Sequence, residues 1–569
     1  MKVSGLFFVA ALAAVSLPLG AQTPPPGAPD AGSIMRTPGT VRPPETKEPQ
    51  PDLPLPEAAP PEEETGQAVP DETLFIQSFR IEDAAPLTEA EVQTVLTPYA
   101  GRNLTMAQIE EAAQAVTALY RSRGFLMAYA YLPRQDARSG VLTLALRIGR
   151  YGQVTIRNES LARDAAVAGL FAPLRSGEAI ERPALERALL LAAALPGAKL
   201  PKVSLAAGKA LGEADLLVEV PAGRRATGFA VYDNQGSRYT GRHRVGLGAI
   251  VNSPTGIGDS LMVSGVFGRN GASRMGSGRA AYSAPAGWRG ARVDVALDRT
   301  VYSLGETYRD LDATGRVDSA ELGGRYPLIR THDTGLELGA TVATRLLRDE
   351  FDALDYTIEK RVRVATLKAA VDHWGALAGR TAHGALELGL TLGRLSFDDA
   401  EQKADDRAGV KSAGDYSRLN LNGTLDVALA PKVNATLTLA VQRALGRSLD
   451  SSERLMISGP SGVKAYRESV TGDHGFVAGL EVRYVLPPVR GVSHAVGVFA
   501  DHGQARFVKP RFAVEDKLKL SDVGLGYYAS RAPFFMKALV AHKVGAQPDE
   551  VVTERDGRTH FLFQFGAIF

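Results

Sequence analysis

The chain has 569 residues, and its 65 basic and 63 acidic residues give a formal net charge of +2. This balanced charge gives no case for nucleic-acid binding. Because the chain has no cysteine, disulfides and thiolate chemistry are excluded. A hydrophobic content of 45% and 59 glycines suit strands and turns, although they suit soluble proteins as well.

The N-terminus predicts an exported protein. A basic start, Met1-Lys2, is followed by an apolar run from Gly5 to Leu17 and by small or tolerated residues at 19–21. We interpret residues 1–21 as a secretory signal peptide, because the run is too short to span a bilayer. A buried N-terminal helix is the less favoured alternative, since a proline-rich stretch begins directly afterwards.

No later apolar run reaches 18 residues, so the sequence offers no transmembrane helix. An exported chain that still enters a membrane must therefore form a closed barrel, in which every backbone polar group is paired. Residues 22–70 are predicted to be an extended, solvated linker. Its prolines recur so closely that no helix longer than about two turns fits between them.

Residues 71–223 contain an internal repeat. Two stretches, 71–149 and 150–223, each show the order strand, helix, helix, strand, strand. In the first stretch, Thr88 with Glu91 forms a capping box, and Thr105 caps the second helix. The repeat favours two small α+β domains of the same kind, with two unrelated α+β domains as the alternative.

From residue 224 to the C-terminus the hydrophobic pattern alternates with period two. In the last segment, for example, the phenylalanines at 561, 563, 565 and 569 alternate with residues such as Gln564 and Gly566. A soluble sandwich also alternates, but here short and long connections alternate too, and the number of segments is even. We predict a transmembrane β-barrel of 16 antiparallel strands around an aqueous channel. The segments begin near Thr227, Arg242, Ser260, Gly278, Ala291, Gly315, Gly335, Tyr356, His383, Arg418, Val433, Gly475, Ala495, Leu518, Phe534 and His560.

One loop, between the eleventh and twelfth segments, carries a distinctive motif. After a Gly459-Pro460 turn it reads Val463-Lys464-Ala465-Tyr466, and the thirteenth segment reads Phe499-Ala500-Asp501-His502-Gly503. With a first-hairpin motif at 233–241, these motifs occur in an order that resembles the two-partner secretion transporters, relatives of the haemolysin-activator and filamentous-haemagglutinin transporters. The resemblance covers residues 74–569. The family tetrad is Val-Arg-Gly/Ala-Tyr, so Lys464 stands where the family has arginine.

The resemblance implies that this loop folds back into the lumen and that Lys464 pairs with Asp501. The alternation agrees, since Val498 and Ala500 share the apolar face and leave Phe499 and Asp501 facing inward. Lysine keeps the charge but lacks the planar fork of arginine, so the anchor should be weaker and less directional. A plain surface lysine is the alternative.

The family resemblance also raises the question of a plug. Many members close the channel with an N-terminal helix, but the proline spacing here leaves no room for such a helix. We therefore expect no helical plug, although an extended segment can still enter the lumen.

The resemblance further implies two POTRA domains in the periplasm and a barrel in the bacterial outer membrane. The POTRA domains would capture an extended exoprotein, a large β-helical client encoded nearby, which the barrel secretes without nucleotide hydrolysis. Outer-membrane lipid, lipopolysaccharide and the barrel-assembly machinery are the other expected partners. Exposed strand edges can pair with the client by β-augmentation, and the candidate residues are Leu126, Ala128, Ala130, Val203 and Leu205.

No enzyme is expected. The sequence has no phosphate-binding loop of the Gly-x-x-x-x-Gly-Lys-Ser/Thr type and no nucleophile elbow, and its nine histidines lack metal-ligand spacing. We therefore predict no catalytic residue, no metal site and no cofactor. Two alternatives remain for the function: a barrel-assembly factor of the same superfamily, and a diffusion porin for small solutes.

Overall fold

The computed structural model describes residues 29–36, 73–82, 85–210, 212–508, 517–546 and 557–569. The predicted signal peptide and most of the predicted linker lie outside the described residues. Within the linker, Asp30 caps a single helical turn, α1 (Ala31–Ile34), by accepting a hydrogen bond from the Ser33 amide. Among the described helices, none combines the length and the apolar character that a membrane-spanning helix requires.

The first N-terminal unit has the predicted order of elements and adds a small ribbon. Its strands and helices are β1 (Thr73–Ile76), β2 (Ser78–Glu82), α2 (Glu89–Leu96), β3 (Arg102–Thr105), α3 (Met106–Ser122), β4 (Ala128–Tyr131) and β5 (Val141–Ile148). The sheet order is β2-β5-β4, with β1 and β3 paired separately. Both predicted caps are present, since Thr88 and Thr105 each form a capping box at their helix. The apolar face of α3 lies in the core beneath the sheet.

The second unit repeats this architecture. It consists of β6 (Arg150–Asn158), α4 (Asp164–Phe171), α5 (Arg182–Ala193), β7 (Lys202–Ala207) and β8 (Glu213–Val220). Its sheet order, β6-β8-β7, has the central strand parallel to one neighbour and antiparallel to the other, as in the first unit. The predicted repeat is therefore present in the structure.

The remaining strands form a closed antiparallel barrel, in which the last strand pairs with the first. Its 16 strands confirm the predicted fold, and the largest difference in position is at β12, expected near Gly278 and beginning at Ser273. The strands are β9 (Ala226–Asp233), β10 (His243–Asn252), β11 (Ser260–Asn270), β12 (Ser273–Pro285), β13 (Arg292–Ser303), β14 (Ala313–Arg330), β15 (Thr334–Phe351), β16 (Tyr356–Leu377), β17 (Arg380–Phe397), β18 (Gly414–Ala430), β19 (Val433–Ala444), β22 (His474–Val489), β23 (Val492–Arg506), β24 (Lys517–Arg531), β25 (Phe534–Lys543) and β26 (Thr559–Ile568). The connections hold a short helix, α6 (Ala400–Ala408), and a two-residue ribbon of β20 (Leu455–Met456) and β21 (Thr471–Gly472).

The second N-terminal unit docks onto the short turns of the barrel. Arg187 of α5 donates to the carbonyl oxygens of Pro327 at 2.6 Å and Arg289 at 3.2 Å. The buried carboxylate of Glu186 accepts the His332 amide of a neighbouring turn. Because these turns belong to the barrel, the unit is fixed at one rim, and the long loops lie at the opposite rim.

Candidate functional site: the lumen loop and the N-terminal helical turn

The connection between β19 and β22, residues 445–473, is here called the lumen loop. Its tip is closed by backbone hydrogen bonds from Val463 to Ile457 at 2.9 Å and from Gly459 to Tyr466 at 2.8 Å. Val463 and Ala465 are fully buried, and they share one apolar cluster with Phe499 and with inward-facing residues of β24 to β26. The loop therefore folds back into the barrel, as the sequence resemblance implied.

Lys464 and Asp501 are in direct contact. The Lys464 ammonium donates to both carboxylate oxygens of Asp501, at 2.8 and 2.7 Å, and lies 4.7 Å from the centre of the Phe499 ring. Asp501 and Phe499 are both buried in the lumen. One ammonium group thus contacts both oxygens of the carboxylate and an aromatic face.

Two glycines make room for this contact. A Cβ atom added at Gly503 would lie 3.0 Å from the Ile457 Cβ and 3.2 Å from a Val463 methyl group. A Cβ atom added at Gly479, on the neighbouring strand, would lie 2.5 Å from an Asp501 carboxylate oxygen. The close approach of loop and wall therefore depends on missing side chains on both β22 and β23.

The wall contributes two charged residues that the sequence analysis missed. Asp522 of β24 lies directly opposite Asp501, and Lys543 of β25 lies directly opposite Asp522. Asp522 accepts the Ala465 amide at 2.5 Å, and the Lys543 ammonium lies 4.8 Å from the centre of the Tyr466 ring. With Lys464, these residues place two carboxyl groups and two amino groups at one level of the lumen. Only the strand register brings them to one level, so no local motif could have revealed them.

A second set of ion pairs holds the base of the lumen loop. Glu453, which is almost fully buried, pairs with Arg345 of β15 and at 2.8 Å with Arg418 of β18. Asp473 accepts the Leu449 amide at 3.0 Å and lies 3.3 Å from the Arg454 side chain. Both ends of the loop are thus anchored to the wall or to each other.

The helical turn α1 lies inside the barrel, against the lumen loop. Ala31 and Ile34 belong to the same buried cluster as inward-facing residues of β13 to β18. The Ala31 amide donates to Asp349 of β15 at 2.8 Å. The proline spacing was expected to leave no room for a helix here, and a single helical turn is nevertheless present in the lumen. The eight residues between Pro29 and Pro38 suffice for one capped turn, and that turn lies in the lumen.

Lys360 joins α1, the lumen loop and the barrel wall. Its ammonium lies 3.1 Å from Asp30 and 2.9 Å from Asp450, and Ser451 donates to Asp30 at 2.6 Å. Burial raises the pKa of Asp30, but the Lys360 ammonium and hydrogen bonds outweigh this effect and lower the pKa to about 2. The contact is close, since a Cβ atom on Gly32 would lie 2.3 Å from the Ser451 hydroxyl oxygen.

The candidate client edges differ in what covers them. At the edge strand β4, the Ala130 amide donates to the Thr117 hydroxyl at 2.8 Å, and Arg121 donates to the Ala128 carbonyl at 3.2 Å. Leu126 lies before this strand, is buried in the core of the second unit, and donates its amide to Ile180. Side chains of α3 thus occupy the outward backbone groups of β4, and Leu126 lies in a domain joint.

The edge strand β7 is uncovered. The Gly208 amide donates to the Glu213 carbonyl, which fixes which residues of β7 bond to β8. Because bonded and non-bonded residues alternate along the register of β7 on β8, the amides and carbonyls of Val203, Leu205 and Ala207 point away from the sheet. In the described part of the chain no group bonds to these outward amides and carbonyls. Of the candidate residues, Val203 and Leu205 therefore lie on an edge that is open to another strand.

Comparison with known proteins agrees with the architecture. Residues 212–514 match the family of the haemolysin secretion/activation proteins ShlB, FhaC and HecB, and residues 74–149 match the ShlB-type POTRA domain. The heme/hemopexin transporter protein HuxB of Haemophilus influenzae is 25% identical over 84% of this chain and 86% of its own. The outer membrane transporter CdiB of Dickeya dadantii is 23% identical over 67% of each chain.

Solved structures show the same fold. CdiB from Escherichia coli superposes with a TM-score of 0.72 at 18% identity, covering 90% of this chain and 93% of its own. CdiB from Acinetobacter baumannii gives a TM-score of 0.64 at 15% identity, covering 90% and 95%. Since the family model matches more than half of the chain, this protein belongs to the ShlB/FhaC/HecB family of outer-membrane transporters of the two-partner secretion type.

Proposed function

We propose that this transporter captures its client, a secreted exoprotein, along β7 and passes it through a barrel from which α1 has been released. That the chain is an outer-membrane secretion transporter with its POTRA region in the periplasm follows from its family. The docking edge, the plug and the loop anchor are the finer steps of that function.

The open edge of β7 is the observation that carries the proposal for capture. An extended chain that adds to this edge would satisfy the outward amides and carbonyls of Val203, Leu205 and Ala207. At β4, the same addition would first have to displace Thr117 and Arg121. Because broken hydrogen bonds offset those gained, β7 is the favoured edge and β4 the disfavoured one.

Substitution at Leu205 tests this proposal. Proline removes the outward amide of Leu205 but no hydrogen bond to β8, so the domain should remain folded. We expect Leu205→Pro to lower the amount of client exoprotein in the medium. Leu205→Ala, which keeps the amide, should secrete more client than Leu205→Pro does. Equal secretion by the proline variant and the unmodified protein would exclude β7 as the docking edge.

Passage of the client requires that α1 leave the lumen. In the described structure α1 and the lumen loop both lie inside the barrel and meet at Lys360. Release of α1 breaks contacts at Asp30 and Ala31 but none within the barrel wall, so the wall can stay closed while the lumen opens. We infer that client binding on the periplasmic side supplies the free energy for this release.

We infer also that the transporter performs no chemical reaction. The relatives named above are transporters, and the lumen carboxylates of Asp30, Glu453 and Asp501 are each paired with a cation. Their role would be to hold the lumen loop and α1 in place, with folding of the client outside the cell giving transport its direction.

A further inference from the structure

The outer wall of the barrel carries arginines at the rim opposite the N-terminal units. Six of them, here called the arginine belt, lie near the loop-side ends of β11, β12 and β14 to β17: Arg269, Arg274, Arg316, Arg348, Arg363 and Arg394. They share the outward face with the lipid-facing side chains. Arg269 follows Phe267, which is 60% exposed, and Arg394 follows Leu392, which is 55% exposed. The belt therefore sits directly above the apolar band.

The belt consists of three arginine pairs in direct cross-strand register. Arg269 faces Arg274, Arg316 faces Arg348, and Arg363 faces Arg394. Like charges directly opposite each other on a sheet are destabilising. A guanidinium group on a lipid-facing wall is also costly unless it lies near the interface and meets an anion. Three such pairs at one rim therefore need negative charge from elsewhere.

Carboxylates of the same wall supply only part of this charge. Arg316 pairs with Asp318 at 3.0 Å, Arg348 with Glu359 at 3.0 Å, and Arg394 with Asp415 at 2.6 Å. For Arg269, Arg274 and Arg363, the described residues offer no ion pair. Each of the pairs Arg269–Arg274 and Arg363–Arg394 thus contains at least one guanidinium group whose fork is free to bind an oxyanion.

We propose that the arginine belt binds the phosphate groups of lipid A, the membrane anchor of lipopolysaccharide. The belt lies at the outer rim, because the N-terminal units occupy the periplasmic one, and lipid A fills the outer leaflet there. Its phosphates lie at the boundary between acyl chains and water, where the belt lies on the protein. A planar guanidinium can bind two oxygens of one phosphate, and two opposed guanidinium groups can share a phosphate between them.

Lipid binding by the full-length protein tests this site. The protein in a neutral detergent is titrated with bis-phosphorylated lipid A, with dephosphorylated lipid A and with phosphatidylglycerol, and bound lipid is counted by native mass spectrometry. We expect bis-phosphorylated lipid A to bind about tenfold more tightly than the dephosphorylated form. Phosphatidylglycerol, with a single diester phosphate, should bind more weakly than bis-phosphorylated lipid A.

The test variant replaces Arg269, Arg363 and Arg394 by glutamine. The matched control replaces three exposed arginines of the opposite rim, Arg380, Arg490 and Arg531, in the same way. The triple belt variant should lose the preference for phosphorylated lipid A, while the control keeps it. An unchanged preference in the belt variant, or equal binding of phosphatidylglycerol by the unmodified protein, would overturn the proposal.

Barrel assembly is checked by the heat-dependent shift in electrophoretic mobility. If the triple variant does not assemble, the single variant Arg363→Gln is used, since no ion pair of the described wall depends on Arg363. It should weaken binding of phosphorylated lipid A about threefold. Unchanged binding of phosphorylated lipid A by Arg363→Gln would also contradict the proposal.

Discussion

Replacement of Asp501 by alanine should release the lumen loop without preventing barrel assembly. In the structure Asp501 accepts two hydrogen bonds from Lys464, at 2.8 and 2.7 Å, and it lies in the lumen rather than in the lipid-facing wall. Its removal leaves the Lys464 ammonium beside the Phe499 ring without its carboxylate. The wall strands keep all their backbone hydrogen bonds, so the loss falls on the loop alone.

The size of the effect follows from the burial of the pair. Loss of one partner of a fully buried ion pair costs about 3–5 kcal/mol. Here the Lys464 side chain is still 17% exposed, and it can turn towards Asp522, which keeps the Ala465 amide. We therefore expect a loss of about 2 kcal/mol in loop anchoring, which raises the released fraction about thirtyfold.

Secretion and assembly are measured separately. The client exoprotein in the medium is quantified by immunoblot, and barrel assembly is followed by the heat-dependent mobility shift. Asp501→Ala should impair secretion while the mobility shift stays unchanged. The control is Asp405→Ala, which removes an exposed carboxylate of α6 and should leave both unchanged. Secretion by Asp501→Ala at the level of the unmodified protein would refute the anchoring role.

Further changes test other contacts of the site. Gly32→Ala should push α1 off Ser451 and open the channel, whereas Gly278→Ala, where an added Cβ atom meets nothing within 4 Å, should not change the current. Gly503→Val should displace the loop tip from β23, so that protease cuts the loop more readily in the assembled barrel. Because the pKa of Asp30 is lowered from 3.8 to about 2, its contact with Lys360 persists above pH 3.8 and is lost as the pH falls towards 2. The closure that this contact supplies should therefore be lost as the pH falls from about 3.8 towards 2, and a current that does not rise over that range would contradict the ionised contact.

The barrel could be predicted from the sequence because a lipid-facing strand leaves a local signature. Val496 and Val498 face lipid, while Phe499 and Asp501 are buried, and this alternation is visible without any register. The anchor of the lumen loop could be predicted only from the family resemblance, since nothing in Val463-Lys464-Ala465-Tyr466 itself indicates a partner on β23.

Other parts of the site left no such signature. The row of Asp501, Asp522 and Lys543 depends on the register of three strands, which alternation alone does not fix. The position of α1 in the lumen could not be predicted either, because a capped turn of four residues is too short to show helical periodicity in the sequence. The difference between the two candidate edges depends on side chains of α3 that reach β4 from another element.

The conductance of single channels in planar bilayers tests most directly whether α1 closes the channel. The full-length chain is compared with a chain that lacks residues 22–70, which include Asp30 and Gly32 and therefore the contacts of α1 to Lys360 and Ser451. We predict that the full-length protein is closed most of the time and that the shortened protein conducts continuously with a larger current. Identical traces from the two proteins would contradict the role of α1 as the plug.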